Sequence, residues 1–322
     1  MTVKSKLLGL LEQQKGNVLS GEKLAEELNC TRAAIWKAVK SLREEGYIIE
    51  AGQNKGYMLV KDSHRLSCEA IQPFLNLKEV YMQVYPEIDS TNKAAKQAAV
   101  NGIAEHGSFV LAARQTAGRG RRGRSFYSPE DAGIYLSVIL EPRGNLQENL
   151  LLTAEAAVAV YKAVKEVTGI ELDIKWVNDL YYHGKKVCGI LTEAITDFES
   201  GNIEFAIVGI GLNLYETAEG YPEELQGIAG GLFTDRDNAS ELDRNRLVAA
   251  IINNLLIETQ EIQLPKEYID QNIVPGKKIQ IRDGKYVREA QALEICQDGR
   301  LKVREVDGTE SMLSYGEISI VI

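Results

Sequence analysis

Leucines recur at helical spacing near the start of the chain, where the run from Leu7 to Leu11 predicts an amphipathic helix. A second helix is predicted to begin after Ser20, whose hydroxyl can accept hydrogen bonds from the free N–H groups of the first turn. Its apolar face would carry Leu24 and Leu28. The opening segment is therefore expected to pack as a small helical unit.

A third helix is predicted over residues 31–45, and a short turn separates it from the second. Two helices joined in this way form a helix-turn-helix, whose second helix enters the major groove of DNA. Between residues 31 and 43 this helix carries four basic residues and no acidic one. The pattern favours DNA binding; a protein-interaction domain with a solvated basic face is the alternative.

Two short apolar runs, residues 47–50 and 56–60, flank Gly52, Gln53, Asn54 and Lys55 and predict a hairpin with a basic tip. Added to the three helices, this hairpin would be the wing of a winged helix-turn-helix. We place that domain at residues 1–62 and a polar linker at residues 63–68.

Beyond the linker, helix and strand patterns mix without strict alternation, which favours an α+β domain over a parallel doubly wound sheet. We place it at residues 69–270. Helices are predicted after Ser90 or Thr91 to about residue 100, and over residues 150–167 and 244–261. Strands are predicted over residues 109–113, 134–140, 174–182, 186–194 and 205–214.

The sequence pattern of the final segment, residues 271–322, differs from that of the preceding domain. Four short alternating runs, residues 278–282, 291–296, 301–305 and 317–322, are punctuated by three Asp-Gly turns. Short strands between tight turns predict a small β-barrel.

Composition narrows the function classes. The formal net charge is −9, so any nucleic-acid contact must come from a local basic surface. The four cysteines form no C-x-x-C pair and the three histidines have no ligand spacing, which disfavours a structural zinc site. No apolar run approaches the ~20 residues that span a bilayer, and no signal-peptide pattern opens the chain. We expect a cytoplasmic protein without a membrane partner.

Residues 118–123 read G-R-G-R-R-G, which matches the dinucleotide-binding pattern G-x-G-x-x-G. That motif has to open a helix, so that the helix N-terminus can meet the pyrophosphate. Here the following residues, 128–133, predict a turn into a strand instead. The dinucleotide interpretation is therefore rejected.

The same segment, called the arginine loop below (residues 118–124), contains four arginines separated by glycines. Glycine lets the backbone approach an anion closely, and guanidinium groups bind carboxylate or phosphate in bidentate fashion. We interpret it as a loop that folds over anionic ligands and is mobile without them. A solvated basic loop is the alternative, although it would not require glycines at this spacing.

Three further positions suggest anion binding. Lys175 lies beside Trp176 in a predicted strand, and burying an unpaired charge is costly, so this lysine is expected to face a bound anion. Lys185 and Lys186 follow a hairpin turn. Asp179 is either the partner of Lys175 or a ligand of Mg²⁺ on a phosphate.

Five motifs, taken in chain order, resemble those of biotin protein ligases. They are D-S-T-N at residues 89–92, Q-T-A-G-R-G-R-R-G-R at 115–124, K-W-V-N-D at 175–179, K-V-C-G-I-L at 186–191 and G-I-G-L-N at 209–213. The family usually has proline where Val177 stands, and this change spares the polar residues. With its helix-turn-helix, the chain resembles the bifunctional type that is also the biotin operon repressor.

The resemblance implies an enzyme that joins biotin to ATP as biotinyl-5′-adenylate and transfers biotin to a lysine of a carboxyl carrier protein. It implies a class II synthetase-like core and an SH3-like barrel. Matching motifs imply catalytic roles for Arg119, Arg121, Lys175 and Lys186. They imply a biotin site formed by Ser90, Thr91, Asn92, Gln115, Arg119, Gly120, Arg121 and Lys186. They imply an ATP and adenylate site formed by Arg119, Arg121, Arg122, Arg124, Phe126, Lys175, Asn178, Asp179 and Asn213, with Mg²⁺ on the phosphates.

In that family the adenylate is also the corepressor, since it orders loops and creates a homodimer that places two winged helices on a palindromic operator. The DNA-binding segment would begin at Gly21 and continue to Lys40. The contacts are expected from Thr31, Arg32, Ala33, Trp36 and Lys37. Trp36 could instead pack against the wing, and Asn213 could instead be a strand-end turn residue.

Two other functions stay open. A lipoate-specific ligase would share the core architecture but not the arginine loop. A non-catalytic repressor that only senses a small anion would not need Lys186.

Overall fold

The computed structural model describes residues 2–52, 56–60, 65–77, 80–141, 149–196, 203–217, 220–239, 242–283, 286–314 and 317–320. The chain divides into two compact units. The first comprises Met1–Asn76 with Ser240–Ala250, and the second comprises Leu77–Ala239 with Ile251–Ile322. These units are described separately, and the domain boundaries predicted at residues 62 and 270 remain a prediction.

Three helices open the first unit: α1 (Val3–Gln13), α2 (Gly21–Glu27) and α3 (Arg32–Glu44). Each is capped by a hydroxyl that accepts from a backbone N–H three residues on, supplied by Thr2, Ser20 and Thr31. The turn between α2 and α3 contains Asn29 with a φ of 48°. The predicted helix-turn-helix is confirmed.

The wing pairs β1 (Ile49–Gly52) with β2 (Gly56–Leu59) in antiparallel register. Gly56 has a φ of +96°, and a Cβ there would lie 2.0 Å from the carbonyl oxygen of Leu19, so this turn requires glycine. The predicted basic tip at residues 53–55 lies outside the described residues, as do residues 63–64 of the predicted linker. Ser67 caps α4 (Cys68–Ile71), which follows the wing.

A seven-stranded sheet forms the centre of the second unit, with strand order β3-β4-β5-β9-β8-β7-β6. Its strands are β3 (Met82–Tyr85), β4 (Phe109–Ala112), β5 (Gly133–Leu140), β6 (Asp173–Lys175), β7 (Asp179–Tyr182), β8 (Lys185–Thr196) and β9 (Ile203–Asn213). The β3–β4 pair is parallel and the other neighbours are antiparallel. A mixed sheet of this kind agrees with the predicted α+β class.

The remaining helices are α5 (Thr91–Val100), α6 (Asn149–Thr168), α7 (Arg244–Glu258) and α8 (Lys266–Asp270). Ser90 caps α5, which decides between Ser90 and Thr91, the two caps that the sequence allowed. All eight residues of β5 are buried, so this strand lies at the centre of the core. Among the described residues, no helix is long and apolar enough to cross a bilayer.

One predicted strand is wrong. Residues 174–182 were expected to run as a single strand, but they form β6 and β7 with a turn at residues 176–178 between them. The two short strands pair with each other, Ile174 opposite Leu180. The turn brings the middle of the K-W-V-N-D motif to the end of both strands.

A five-stranded antiparallel sheet ends the chain: β10 (Lys278–Asp283), β11 (Tyr286–Ile295), β12 (Leu301–Glu305), β13 (Glu310–Leu313) and β14 (Glu317–Ile320). The strand order is β13-β12-β11-β10-β14. The sequence predicted four of these strands and missed β13, which pairs with β12 after the turn at Asp307-Gly308. That this sheet closes into a barrel remains a prediction.

Candidate functional site

The arginine loop forms a tight hairpin within the second unit. The Gly120 amide donates to the Arg124 carbonyl at 2.7 Å, and the Phe126 amide donates to the Gly118 carbonyl at 2.9 Å. A Cβ on Gly118 would lie 2.4 Å from the Phe126 carbonyl oxygen, which explains the glycine at the base of the hairpin. The loop leads to β5 and not into a helix, in agreement with rejecting the dinucleotide fingerprint.

A cavity of about 500 Å³ lies beside this loop, within the second unit. Every residue that the motifs assigned to biotin or ATP lines it. These are Ser90, Thr91, Asn92, Gln115, Arg119, Gly120, Arg121, Arg122, Arg124, Phe126, Lys175, Asn178, Asp179, Lys186 and Asn213. The structure thus brings them together, while the role of each remains a prediction.

Part of the cavity lining, referred to below as its neutral end, is a hydrogen-bonded network of neutral polar groups around the start of α5. The Gln115 side-chain oxygen accepts from both the amide and the hydroxyl of Thr91, at 2.9 and 3.1 Å. Ser137 Oγ lies 2.8 Å from the Thr91 hydroxyl and 2.6 Å from Asn92 Oδ1. The Gln115 amide nitrogen donates to Ser128 Oγ at 3.0 Å. These contacts hold the lining hydroxyl and amide groups in fixed orientations.

Three glycines on neighbouring strands make room for the lining side chains. A Cβ on Gly209 would lie 2.1 Å from Asn92 Oδ1, and one on Gly211 would lie 2.4 Å from the Phe126 ring. Gly189 faces the same ring at 3.3 Å. The part of the cavity wall under Asn92 and Phe126 is therefore strand backbone.

A second group of lining residues, referred to below as the cationic end, carries positive charge. Lys186 Nζ lies 2.6 Å from Asp179 Oδ1, and Arg121 Nη1 donates to Asn178 Oδ1 at 3.2 Å. Burial lowers the pKa of the Arg121 guanidinium, Asp179 raises it and the neighbouring Arg122 lowers it. Among the residues that the structure describes, six basic and two acidic ones line the cavity, although the whole chain is acidic. The local field therefore favours anions.

Lys175 lies at the end of β6 and is half-buried. Its ammonium is 3.4 Å from the Tyr181 hydroxyl and 5.3 Å from the centroid of that ring. Burial raises the pKa of Tyr181 to about 12, so this hydroxyl stays protonated near neutral pH. The structure gives Asp179 an ion pair with Lys186, and it also places Asp179 opposite Lys175 in the β6–β7 pairing.

The turn between β6 and β7 is held by groups that the sequence did not single out. The indole N–H of Trp176 donates to the Gly299 carbonyl at 2.9 Å, and the buried Tyr268 hydroxyl donates to the Val177 carbonyl at 2.8 Å. Asn178 exchanges hydrogen bonds with the Ile190 backbone, both at 2.9 Å. The Trp176–Val177 peptide bond is cis.

A second lining segment, residues 220–231, was also missed by the sequence analysis. Tyr221, Ile228 and Ala229 line the cavity, and Ala229 forms a parallel bridge with Lys186. Asn213 ends β9 and its amide donates to the Gly230 carbonyl at 3.1 Å. Asn213 is therefore both a strand-end residue that holds this segment and a residue of the cavity wall.

The described residues contain no cluster of three or more histidine, cysteine, aspartate or glutamate side chains that could hold a metal ion. Asp179 is the acidic residue nearest the cations of the cavity, and Lys186 already contacts it.

A separate candidate site lies on the first unit, on the exposed face of α3. Arg32, Ala33, Trp36 and Lys37 are all exposed there, while Ile35 on the opposite face is fully buried. The Trp36 side chain is 57% exposed, and the Lys40 ammonium lies 5.9 Å from its ring centroid. This exposure does not support the alternative in which Trp36 packs against the wing.

Taken together, the mixed sheet with its cationic cavity defines a ligase-type catalytic core, and the first unit defines a helix-turn-helix regulator. Residues 84–213 match the Biotin/lipoate A/B protein ligase family, and residues 3–58 match an HTH domain. The chain belongs to the biotin ligase family, in its bifunctional ligase/repressor branch.

Three comparisons support this assignment. The Bifunctional ligase/repressor BirA of Bacillus subtilis is 38% identical over 258 residues, covering 80% of this chain and 77% of that protein. The Escherichia coli protein of the same name is 33% identical over 79% of this chain and 75% of its own length. A solved biotin protein ligase from Aquifex aeolicus, in complex with biotin and ATP, matches with a TM-score of 0.59 and 25% identity over 75% of this chain and 98% of that one.

Proposed function

We propose that this protein activates biotin with ATP in the cavity beside the arginine loop and transfers it to a lysine of a biotin carboxyl carrier protein. One observation carries the proposal: a single cavity is lined both by a hydrogen-bonded network of neutral polar side chains and by cationic side chains. Biotin has the same two-part chemistry, a polar ureido ring at one end and a carboxylate at the other.

The cationic end supports a carboxylate–phosphate reaction. When a carboxylate attacks an α-phosphate, two anions approach each other, and preorganised cations lower that barrier most. Arg121 and Lys186 are fixed by Asn178 and Asp179, so their charges are already oriented before ligands bind. Arg119 would hold the biotin carboxylate from the loop, and Phe126 would stack on the adenine. No side-chain nucleophile is needed.

Mg²⁺ is proposed as a companion of the nucleotide. It is usually held by one or two carboxylates together with substrate phosphates. Among the described residues, Asp179 and Glu224 are the acidic residues that line the cavity. This donor set fits an ion that arrives on ATP, with Asp179 as its protein ligand, better than a resident metal site.

A lipoate-type ligase is the main alternative. The dithiolane ring of lipoate has no N–H or C=O group, so it would leave the hydroxyl and amide groups at the neutral end without a ligand partner. The buried polar network around Thr91, Asn92 and Gln115 therefore favours biotin.

Pyrophosphate release in the presence of ATP and either biotin or lipoate decides between these acids. Release with biotin, followed by transfer of labelled biotin to an acceptor domain, is the expected result. Release with lipoate alone would overturn the proposed substrate. If no adenylate formed with either biotin or lipoate, a non-catalytic sensor would be favoured.

The same protein is proposed to act as a repressor in the cytoplasm. Biotinyl-5′-adenylate would serve as the corepressor, and a homodimer would place two copies of α3 in successive major grooves of an operator. Operator binding measured with and without biotin plus ATP tests this. Equal affinity under both conditions would remove the ligand-responsive role while leaving the ligase proposal intact.

Two finer statements on the fold belong to the same proposal. The resemblance supports a class II synthetase-like topology for the seven-stranded sheet and an SH3-like barrel for the five-stranded one. Cross-strand contacts between β13 and β14, measured by NMR in solution, would test the barrel.

A further inference from the structure

Glu193 lies outside the five motifs and outside the cavity lining, yet it contacts two residues of the site. It is on β8, opposite Ile207 of β9, and its side chain is 25% exposed. One carboxylate oxygen accepts from Asn92 Nδ2 at 2.8 Å, and the other lies 3.3 Å from Arg119 Nη1. A single carboxylate therefore joins the neutral end of the cavity to the arginine loop.

The first contact fixes the orientation of the Asn92 amide. Asn92 is 5% exposed, and its Oδ1 accepts from Ser137 at 2.6 Å while its Nδ2 donates to Glu193. The amide occupies the space that a side chain on Gly209 would fill, since a Cβ there would lie 2.1 Å from Asn92 Oδ1. The Glu193 carboxylate can only accept, as can the Leu191 carbonyl 3.5 Å from the same Nδ2, so the orientation that points Nδ2 at them is the one that satisfies every partner.

The second contact restrains the loop. Arg119 is 53% exposed on its side chain and belongs to a glycine-rich hairpin, so on its own the guanidinium would sample many positions. A guanidinium has five N–H donors, so it can contact Glu193 with one edge and still present the others to a bound carboxylate. The ion pair then holds Arg119 near the position from which it would meet the ligand.

We propose that Glu193 is a positioning residue for biotin: it orients Asn92 and tethers Arg119, and so couples the biotin pocket to the arginine loop. This inference rests on the proposed function and adds a residue to those that contribute to biotin recognition. Because Glu193 does not touch the cavity, its effect is on ligand binding and loop order, not on the chemical step itself.

The proposal predicts that loss of the Glu193 carboxylate weakens biotin binding, whereas the change in charge alone would strengthen it. Removing a carboxylate next to Arg119 makes the site more cationic, which by itself strengthens the binding of any anion. Loss of the tether and of the Asn92 orientation weakens the binding of biotin. In Glu193→Gln the single amide oxygen can accept from only one of the two donors, and its nitrogen faces the other as a second donor.

The experiment compares wild type, Glu193→Gln and the matched variant Glu204→Gln, which changes an exposed glutamate on the neighbouring strand β9. Biotin affinity is measured by calorimetry without ATP, and adenylate dissociation and pyrophosphate release are measured separately. For Glu193→Gln we expect biotin affinity to fall about tenfold, the adenylate to dissociate faster, and kcat at saturating biotin to change less than threefold. Glu204→Gln should match wild type.

A double variant separates the two contacts. If the tether operates, Glu193→Gln should accelerate adenylate dissociation less in an Arg119→Gln background than in wild type. Unchanged or tighter biotin binding in Glu193→Gln would overturn the proposal. A loss in kcat and melting temperature without a change in biotin affinity would also overturn it, since that is the pattern of a purely structural residue. Failure of wild type to bind biotin would instead overturn the proposed function.

Discussion

Lys186 and Asp179 form an ion pair between neighbouring strands, with 2.6 Å between Nζ and Oδ1. The pair lies in the cavity wall, and the Asp179 charge also acts on the Arg121 guanidinium, whose pKa it raises against the lowering effect of burial. A lysine held by one carboxylate can keep that partner and still donate from its other N–H groups to a ligand oxygen. Because of this geometry, substitution of Lys186 is the most direct test of the site.

Lys186→Ala is expected to reduce biotin-dependent pyrophosphate release by about 100-fold or more, because a preorganised donor at the reacting oxygens is lost. The adjacent Lys185 offers a matched control. Its ammonium contacts Glu216 at 3.5 Å and it does not line the cavity, so Lys185→Ala should stay within about threefold of wild type. Equal losses in the two variants would show that general basicity, and not this position, matters.

Tyr268→Phe removes one hydroxyl and leaves the buried Val177 carbonyl without its donor. An unsatisfied buried acceptor costs about 1–3 kcal/mol, so the free energy of unfolding should fall by that order. Since Asn178 follows Val177 and accepts from Arg121, the KM for ATP should also rise. Urea denaturation and pyrophosphate release measure the two effects. Tyr286→Phe, at a tyrosine 84% exposed, should change neither quantity.

The DNA-binding unit should show a pH dependence that originates at Glu12. Its side chain is fully buried beside Lys15 at 3.1 Å, and burial raises its pKa above the usual 4.5 despite that lysine, with Asp243 raising it further. A raised folded-state pKa means that stability is lost as pH rises from 4.5 through the folded value. Glu12→Gln should therefore gain stability relative to wild type over that interval, as measured by denaturation at successive pH values.

Glu45 supplies the opposite sign in the same unit. Its hydrogen bond from Lys4 lowers its pKa below 4.5, so its contribution is present above that pH and is lost as pH falls through the folded value. Glu45→Gln should lose a little stability at neutral pH and match wild type in acid. If both variants shifted the curve in the same direction, the assignment of these two groups would fail.

Lys37→Ala is expected to weaken operator binding and to lower the slope of log affinity against log salt by about one, as for the loss of one phosphate contact. Lys37 is exposed on α3. Lys6, exposed on α1, is the control, and Lys6→Ala should leave both quantities unchanged. Fluorescence anisotropy over a salt series, with biotin and ATP present, measures them.

Local signals in the sequence predicted much of the fold. The capping hydroxyls of Ser20 and Ser90 stand at helix starts because each satisfies a free N–H three residues on, a contact that depends only on neighbouring positions. The prediction of a continuous strand through Trp176 was wrong because the contacts that stabilise the turn there are not local. The turn there is stabilised by Gly299 and Tyr268, which are remote in sequence and carry no local signature.

The residues of the site divide in the same way, into those that a sequence motif identifies and those that only the fold reveals. Residues with charge or amide groups inside recognisable motifs, such as Arg121 and Asn92, could be named from the sequence. Ser137 and Glu193 could not, because a serine or glutamate within a strand gives no sign of what lies across the fold. They become visible only when β5, β8 and α5 bring their side chains to Thr91 and Asn92.

Gly189, Gly209 and Gly211 are chemically inert, yet they should rank among the least mutable positions of the ligase core. Side chains at the last two would collide with Asn92 and Phe126, and at Gly189 even a methyl group would lie within 3.3 Å of the same ring. Attempts to widen the enzyme to bulkier biotin analogues are therefore better directed at the loop and at residues 220–231 than at these strands. A library that randomises Gly209 and Gly211 would mostly sample proteins in which Asn92 or Phe126 is displaced from the cavity wall.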